Sequence, residues 1–194
     1  MNGALRQPTL FFTCLLLYYS SYAQELSDLD TLNGQSFSDY YGYPIPERTD
    51  QRLFYIQRNI SKNVVVYDSN LNEEHELDQK RPYKMYWKRY NENLGGKEFD
   101  LTWLERTMGY RLKVLESAAT ECKVSLISYK KRKFKIVKTP SGKVEARIDI
   151  KGRPAIMWYI FMHMEDSFWP DVHFLEIGGQ DLETGEYIFE QFLP

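Results

Sequence analysis

At 194 residues, 43% of them hydrophobic, the chain is long and apolar enough for one domain with a full core. A formal net charge of −2 excludes the basic footprint that a nucleic-acid partner requires. Of its two cysteines only Cys122 lies outside the N-terminal leader, so no intrachain disulfide forms and stability must come from the core.

Residues 1–23 read as a secretory signal peptide. Arg6 supplies a positive n-region, Leu10 to Tyr18 a short apolar h-region, and Ser21-Tyr22-Ala23 the small residues before cleavage after Ala23. The apolar run falls short of the roughly 20 residues that span a bilayer. Cys14 sits inside that run behind Phe12 and Thr13, which argues against a lipidated cysteine. No later segment is long and apolar enough for a second span. The expectation is export to a periplasm or the extracellular space, with no transmembrane span after signal removal.

Residues 24–50 form an acidic, turn-rich leader in which Asp28, Asp30, Asp39 and Asp50 accompany Gly34, Gly42, Pro44 and Pro46. Its aromatic cluster, Tyr40, Tyr41 and Tyr43, is costly to leave in water, so the second half of the leader is expected on the domain surface. Residues 51–194 then make a single β-rich domain.

That domain opens with LFYIQRNISKNVVVYD, two β-branched and aromatic runs at 53–57 and 64–68 around a polar turn at 58–63. The first run is apolar on both faces, so it needs cover on both sides. Residues 83–90 alternate, with Tyr83, Met85 and Trp87 on one face and Lys84, Tyr86, Lys88 and Tyr90 on the other. Asp100 reads as a helix cap before Leu101, Leu104 and Met108 at helical spacing, with Gly109 as the stop. This predicts one short helix near 101–108.

From Tyr110 onward the chain reads as strands at 111–116, 122–129, 134–139, 144–150, 155–164, 172–177 and 187–192. Turn signals at Pro140-Ser141-Gly142, Lys151-Gly152 and Glu183-Thr184-Gly185 separate them. Connections this short make sequential neighbours antiparallel, because parallel pairing needs a long crossover. The expected fold is mainly β, an antiparallel meander of about ten strands closing into a barrel, with a two-sheet sandwich as the alternative.

One strand departs from alternation. AIMWYIFMHM (155–164) is apolar on both faces, with Ile156, Trp158, Ile160 and Met162 counted on one and Met157, Tyr159 and Phe161 on the other. Trp158, Ile160 and Met162 are therefore candidate ligand-binding residues. The plainer reading is an ordinary central strand.

No G-x-S-x-G element occurs, and neither Ser125 nor Cys122 has a histidine nearby in sequence, so nucleophilic catalysis has no signature. Cys122, in an apolar run, reads as a buried small hydrophobe. His163, Glu165, His173 and Glu176 are the weak catalytic candidates, an acid and histidine cluster shared by two neighbouring strands. As metal ligands His163, Glu165, Asp166 and His173 match no known spacing, so no metal and no cofactor is assigned. The plainer reading is solvated turn acids and polar strand positions. Lys130, Lys131, Arg132 and Lys133 form an anion-binding candidate at a hairpin tip, weighed against a solvated turn.

LFYIQRNISKNVVVYD (53–68), RPYKMYWKRY (81–90), LTWLERTMGYRLKV (101–114), ISYKKRKFKI (127–136) and GGQDLETGEYIFEQFLP (178–194) together carry a resemblance. From about residue 52 to the C-terminus the chain resembles an uncharacterised family of exported bacterial proteins, known only as a domain of unknown function. The resemblance implies no activity, cofactor or catalytic residue. The residues favour a non-catalytic exported β-domain that binds an apolar or amphipathic ligand, or an envelope protein partner. A cell-envelope hydrolase using the acid and histidine cluster, and a purely structural envelope protein, are the alternatives.

Overall fold

The computed structural model describes residues 42–167 and 171–194. The signal segment and the leader up to residue 41, with Tyr40 and Tyr41, lie outside the described residues. The strands are β1 (Arg52–Arg58), β2 (Ser61–Ser69), β3 (Tyr83–Arg89), β4 (Lys97–Phe99), β5 (Leu112–Ser117), β6 (Glu121–Leu126), β7 (Lys133–Lys138), β8 (Val144–Ile150), β9 (Arg153–Met164), β10 (Val172–Asp181) and β11 (Tyr187–Phe192).

They form one 11-stranded sheet in the order β4-β3-β2-β1-β9-β8-β7-β6-β5, with β10 on the other edge of β9 and β11 beyond it. The expected closed antiparallel barrel is corrected by this order, and so is the sandwich: the sheet is mixed and curls into an open half-barrel. Two features cause the difference. β1 runs parallel to β9, with Tyr55 opposite Tyr159 and Arg58 opposite Met162. β4 and β5 end the sheet without pairing to each other.

The local signals that make the strands are ordinary. Val64, Val65 and Val66 suit a pleated surface buried on both sides, and all three are fully buried. The β8–β9 hairpin turns on Lys151 and Gly152, both with positive φ (52° and 75°), the conformation that matches the strands' right-handed twist. Inside the curl, Phe54 stacks on Tyr67 at 4.3 Å and meets the edge of Phe134 at 5.5 Å. Burying each such side chain contributes about 1.5–3 kcal/mol. Cys122 is a fully buried free thiol in this interior.

The helix over 101–108 is corrected too. Thr102, not Asp100, is the cap: its N–H donates to Glu105 Oε2 at 2.7 Å and its Oγ1 accepts from Glu105 N–H at 3.3 Å. The segment Glu105–Tyr110 then winds as a π-helix that runs through Gly109 instead of stopping there. Of the apolar stripe only Leu101 is buried; Leu104 and Met108 are exposed. Among the described residues no helix is long and apolar enough to cross a membrane.

The end of the leader does lie on the domain. The Tyr43 hydroxyl donates to Asn59 O at 2.5 Å, Pro46 is buried, and Glu47 O accepts from Arg52 Nη1 at 2.9 Å.

Candidate functional site

The sheet forks at β9. Its first residues pair with β8, ending at Ile156 opposite Arg147, and its later residues pair with β1, beginning at Tyr159 opposite Tyr55. Among the described residues Met157 and Trp158 have no strand partner on that edge. β1 and β8 diverge from this point and leave a cavity of about 380 Å³ between them. Pockets of about 300–1,000 Å³ hold small molecules.

A β-bulge aims the cavity wall. On the opposite edge of β9, Gly178 pairs with Tyr159 and Gly179 with Met157, so Trp158 is the extra residue. The bulge shifts the alternation by one. Ala155 and Met157 before it and Ile160 after it all belong to the interior core, with Met162 packed against that core. The face count that placed Trp158, Ile160 and Met162 together is therefore corrected. Trp158 lines the cavity, whereas Ile160 and Met162 face the interior.

Two glycines permit the bulge. A Cβ on Gly178 would stand 2.2 Å from the Tyr159 ring, and one on Gly179 would stand 2.0 Å from Ile156 O. No L side chain fits either space.

The rest of the wall comes from distant parts of the chain: Ile45, Pro46 and Arg48 from the leader, Leu53 and Tyr55 from β1, Val144 and Glu145 from β8, and Tyr187 from β11. Aromatic rings dominate it. Trp158 stacks with Tyr187 at 6.0 Å, and Tyr55 with Tyr159 at 5.9 Å. The rim is cationic. Arg48 lies over the Trp158 ring at 4.8 Å, and Lys143 stands beside Glu145 at 3.5 Å. Arg52 is committed elsewhere, with Nε 2.6 Å from Asp68 Oδ1. Burial first, and then the Asp68 carboxylate to which it donates at 2.7 Å, push the Tyr86 phenol's pKa up.

Glu176 lies behind this wall and is completely buried. The Tyr159 hydroxyl, 2.6 Å from the Tyr187 hydroxyl, donates to Glu176 Oε1 at 2.6 Å, and Gln191 Nε2 donates to Oε2 at 2.7 Å. A hydrogen-bonded path thus runs from the half-exposed Tyr187 to a buried carboxyl. These bonds give both carboxyl oxygens a partner that burial would otherwise deny them.

The other catalytic candidates sit apart from the cavity. His163 and His173 meet at 5.4 Å between ring centroids, and His173 Nε2 lies 3.8 Å from Glu165 Oε1. The His163 ring stacks on Phe174 at 4.8 Å. Among the described residues no group of three or more His, Cys, Asp or Glu side chains could hold a metal ion. In the basic run, Lys130 and Lys131 are exposed on the β6–β7 connection and Lys133 is exposed at the start of β7. Arg132 turns inward, 2.6 Å from Glu190 and 4.9 Å above the Phe192 ring.

Sequence reasoning missed Tyr55, Tyr159, Tyr187, Arg48 and Lys143 as cavity residues. The available signal was Gly178-Gly179 opposite a doubly apolar strand, since paired glycines inside a strand mark a bulge.

No curated protein and no solved structure matches the chain. The family described as Domain of unknown function (DUF4833) matches residues 54–191, which includes nearly all of the sheet, and the chain belongs to that family.

Proposed function

We propose that the protein is a non-catalytic binding domain, exported from the cytoplasm, whose cavity at the fork of β9 holds a small amphipathic ligand. The observation that carries this reading is the cavity itself, walled by Tyr55, Trp158, Tyr159 and Tyr187 and rimmed by Arg48 and Lys143. Flat rings take an apolar body, and a cation over an indole face is placed to meet an anionic head group. The Trp158 indole N–H, shielded from solvent and without a hydrogen-bond partner among the described residues, is a further donor at the wall. Export rests on the sequence pattern of residues 1–23.

The test is titration with 1-anilinonaphthalene-8-sulfonate, an aromatic body bearing one anionic group, alongside native mass spectrometry for retained lipid. Binding that quenches tryptophan emission and weakens by about tenfold in Trp158→Ala and Arg48→Ala supports the reading. Binding unchanged in both variants removes it.

A further inference from the structure

We propose that the groove between β3 and β5 is a docking site for an extended acidic peptide of a partner protein, which adds a strand at the open seam of the half-barrel. The seam is where the sheet fails to close. β5 is one end of the sheet, and β4 covers only Trp87 to Arg89 of β3, so among the described residues no strand lies along the edge of β3 from Tyr83 to Tyr86. Between the two edges lies a groove of about 1200 Å³.

The edges are spanned by one side chain. The Tyr83 hydroxyl accepts from Leu112 N–H at 2.9 Å and donates to Leu112 O at 2.9 Å, standing in for a missing strand at that position. A tyrosine side chain is longer than the inter-strand spacing of about 4.8 Å, so the two backbones are too far apart to pair directly. Leu112 thus turns its N–H and C=O toward the seam. Backbone groups alternate in direction along an antiparallel strand, so Val114 presents the next outward pair, and Val114 lines the groove.

The groove has closed ends. At one, Leu77 N–H donates to Ala119 O at 2.9 Å and Ser117 Oγ donates to Gln79 O at 3.1 Å. At the other, Trp103, Arg106 and Thr107 stand over it, with Trp103 exposed. A short segment fits, not a long polymer.

Charge selects the occupant. Lys80, Arg81, Lys84, Arg111 and Lys113 line the groove, all are exposed, and none has an ion-pair partner among the described residues. Among the described residues lining the groove only Glu98 and Asp100 oppose them, and Asp100 is engaged by Arg106 at 3.1 Å. Added strands gain affinity from main-chain hydrogen bonds and specificity from alternate side chains. Acidic side chains on the outward face of such a strand would meet these cations. A plainer account is that Lys84 and Lys113 only blunt an exposed edge against aggregation.

The full chain is titrated calorimetrically with peptides about ten residues long, alternating Val or Thr with Glu. It is titrated in parallel with the same peptides N-methylated at alternate backbone nitrogens, and with dextran sulfate. The expected result is binding that slows amide exchange at Val114, drops about tenfold or more on N-methylation, and drops similarly in Lys84→Glu and Lys113→Glu. Both variants alter exposed side chains, so unchanged circular dichroism shows that they fold. Trp158→Ala leaves this binding intact, which separates it from the cavity at the fork. Absence of binding overturns the proposal. So does equal binding of the N-methylated peptides, or of dextran sulfate, which would make the seam a general polyanion patch.

Discussion

The side chain of Asn59 pairs with the backbone of Met164 at both ends: its Nδ2 donates to Met164 O at 3.1 Å and its Oδ1 accepts from Met164 N–H at 2.9 Å. With Asn59 N–H donating to Met162 O at 3.1 Å, the residue extends the β1–β9 pairing beyond the end of β1. It clamps the parallel register across 105 positions of sequence. Asn59→Ala leaves a partly buried donor and acceptor without partners, a cost of about 1–3 kcal/mol. Urea denaturation should show that loss, with faster amide exchange at Met164. An unchanged midpoint would show that the clamp contributes nothing.

The two glycines of the bulge should respond differently to alanine. At Gly179 the new methyl meets the Ile156 carbonyl, a backbone atom that cannot step aside, so the loss should exceed about 3 kcal/mol. At Gly178 it meets the Tyr159 ring, which can be removed. Gly178→Ala should therefore cost less in a Tyr159→Ala background than in the native chain, and a double-mutant cycle in chemical denaturation reads that coupling. Additive effects would contradict the contact.

Cys122 is fully buried with its Sγ 3.1 Å from Ser117 Oγ. The thiol should resist a disulfide reagent such as dithionitrobenzoate in the native protein and react completely in guanidinium chloride. Rapid labelling of the native protein would place Cys122 in contact with solvent and contradict a sealed interior.

Glu190 links Arg132 to the β8–β9 turn. Burial alone would raise its pKa, but the hydrogen bond from Arg132, the Lys151 N–H at 2.9 Å and their positive charges outweigh it and hold the carboxyl below its ordinary range. A carboxyl depressed by folding contributes stability that is complete above its unfolded pKa, about 4.3. That contribution is lost as pH falls through the folded value. Glu190→Gln should thus be less stable than the native chain at pH 7, with the gap narrowing below about pH 4. Thermal melts across that range test it, and a gap independent of pH would exclude the ion pair as its source.

Much of the secondary structure was written locally. Val144–Ile150 and Tyr187–Phe192 fall where alternation and turn residues place them, because strand propensity and turn chemistry act over a few positions. The three-residue strand Lys97–Phe99 was too short to show a period. The candidate site was legible only in fragments. Trp158 was found as part of an apolar strand, but the bulge broke the period-two count, so Ile160 and Met162 were assigned to the wrong face. Glu176 was noted as an acid and gave no sign of its burial against Tyr159 and Gln191.

By itself the sequence determined that this is a β-rich chain with one buried cysteine, tight hairpins and a doubly apolar strand, since those properties follow from residue type and short-range spacing. The tertiary structure alone decided that β1 lies parallel to β9, that the sheet forks there, and that the curl stays open between Tyr83 and Leu112. Those relationships join residues far apart in sequence, where hydrogen bonds and packing select one partner among many and leave no local pattern to read.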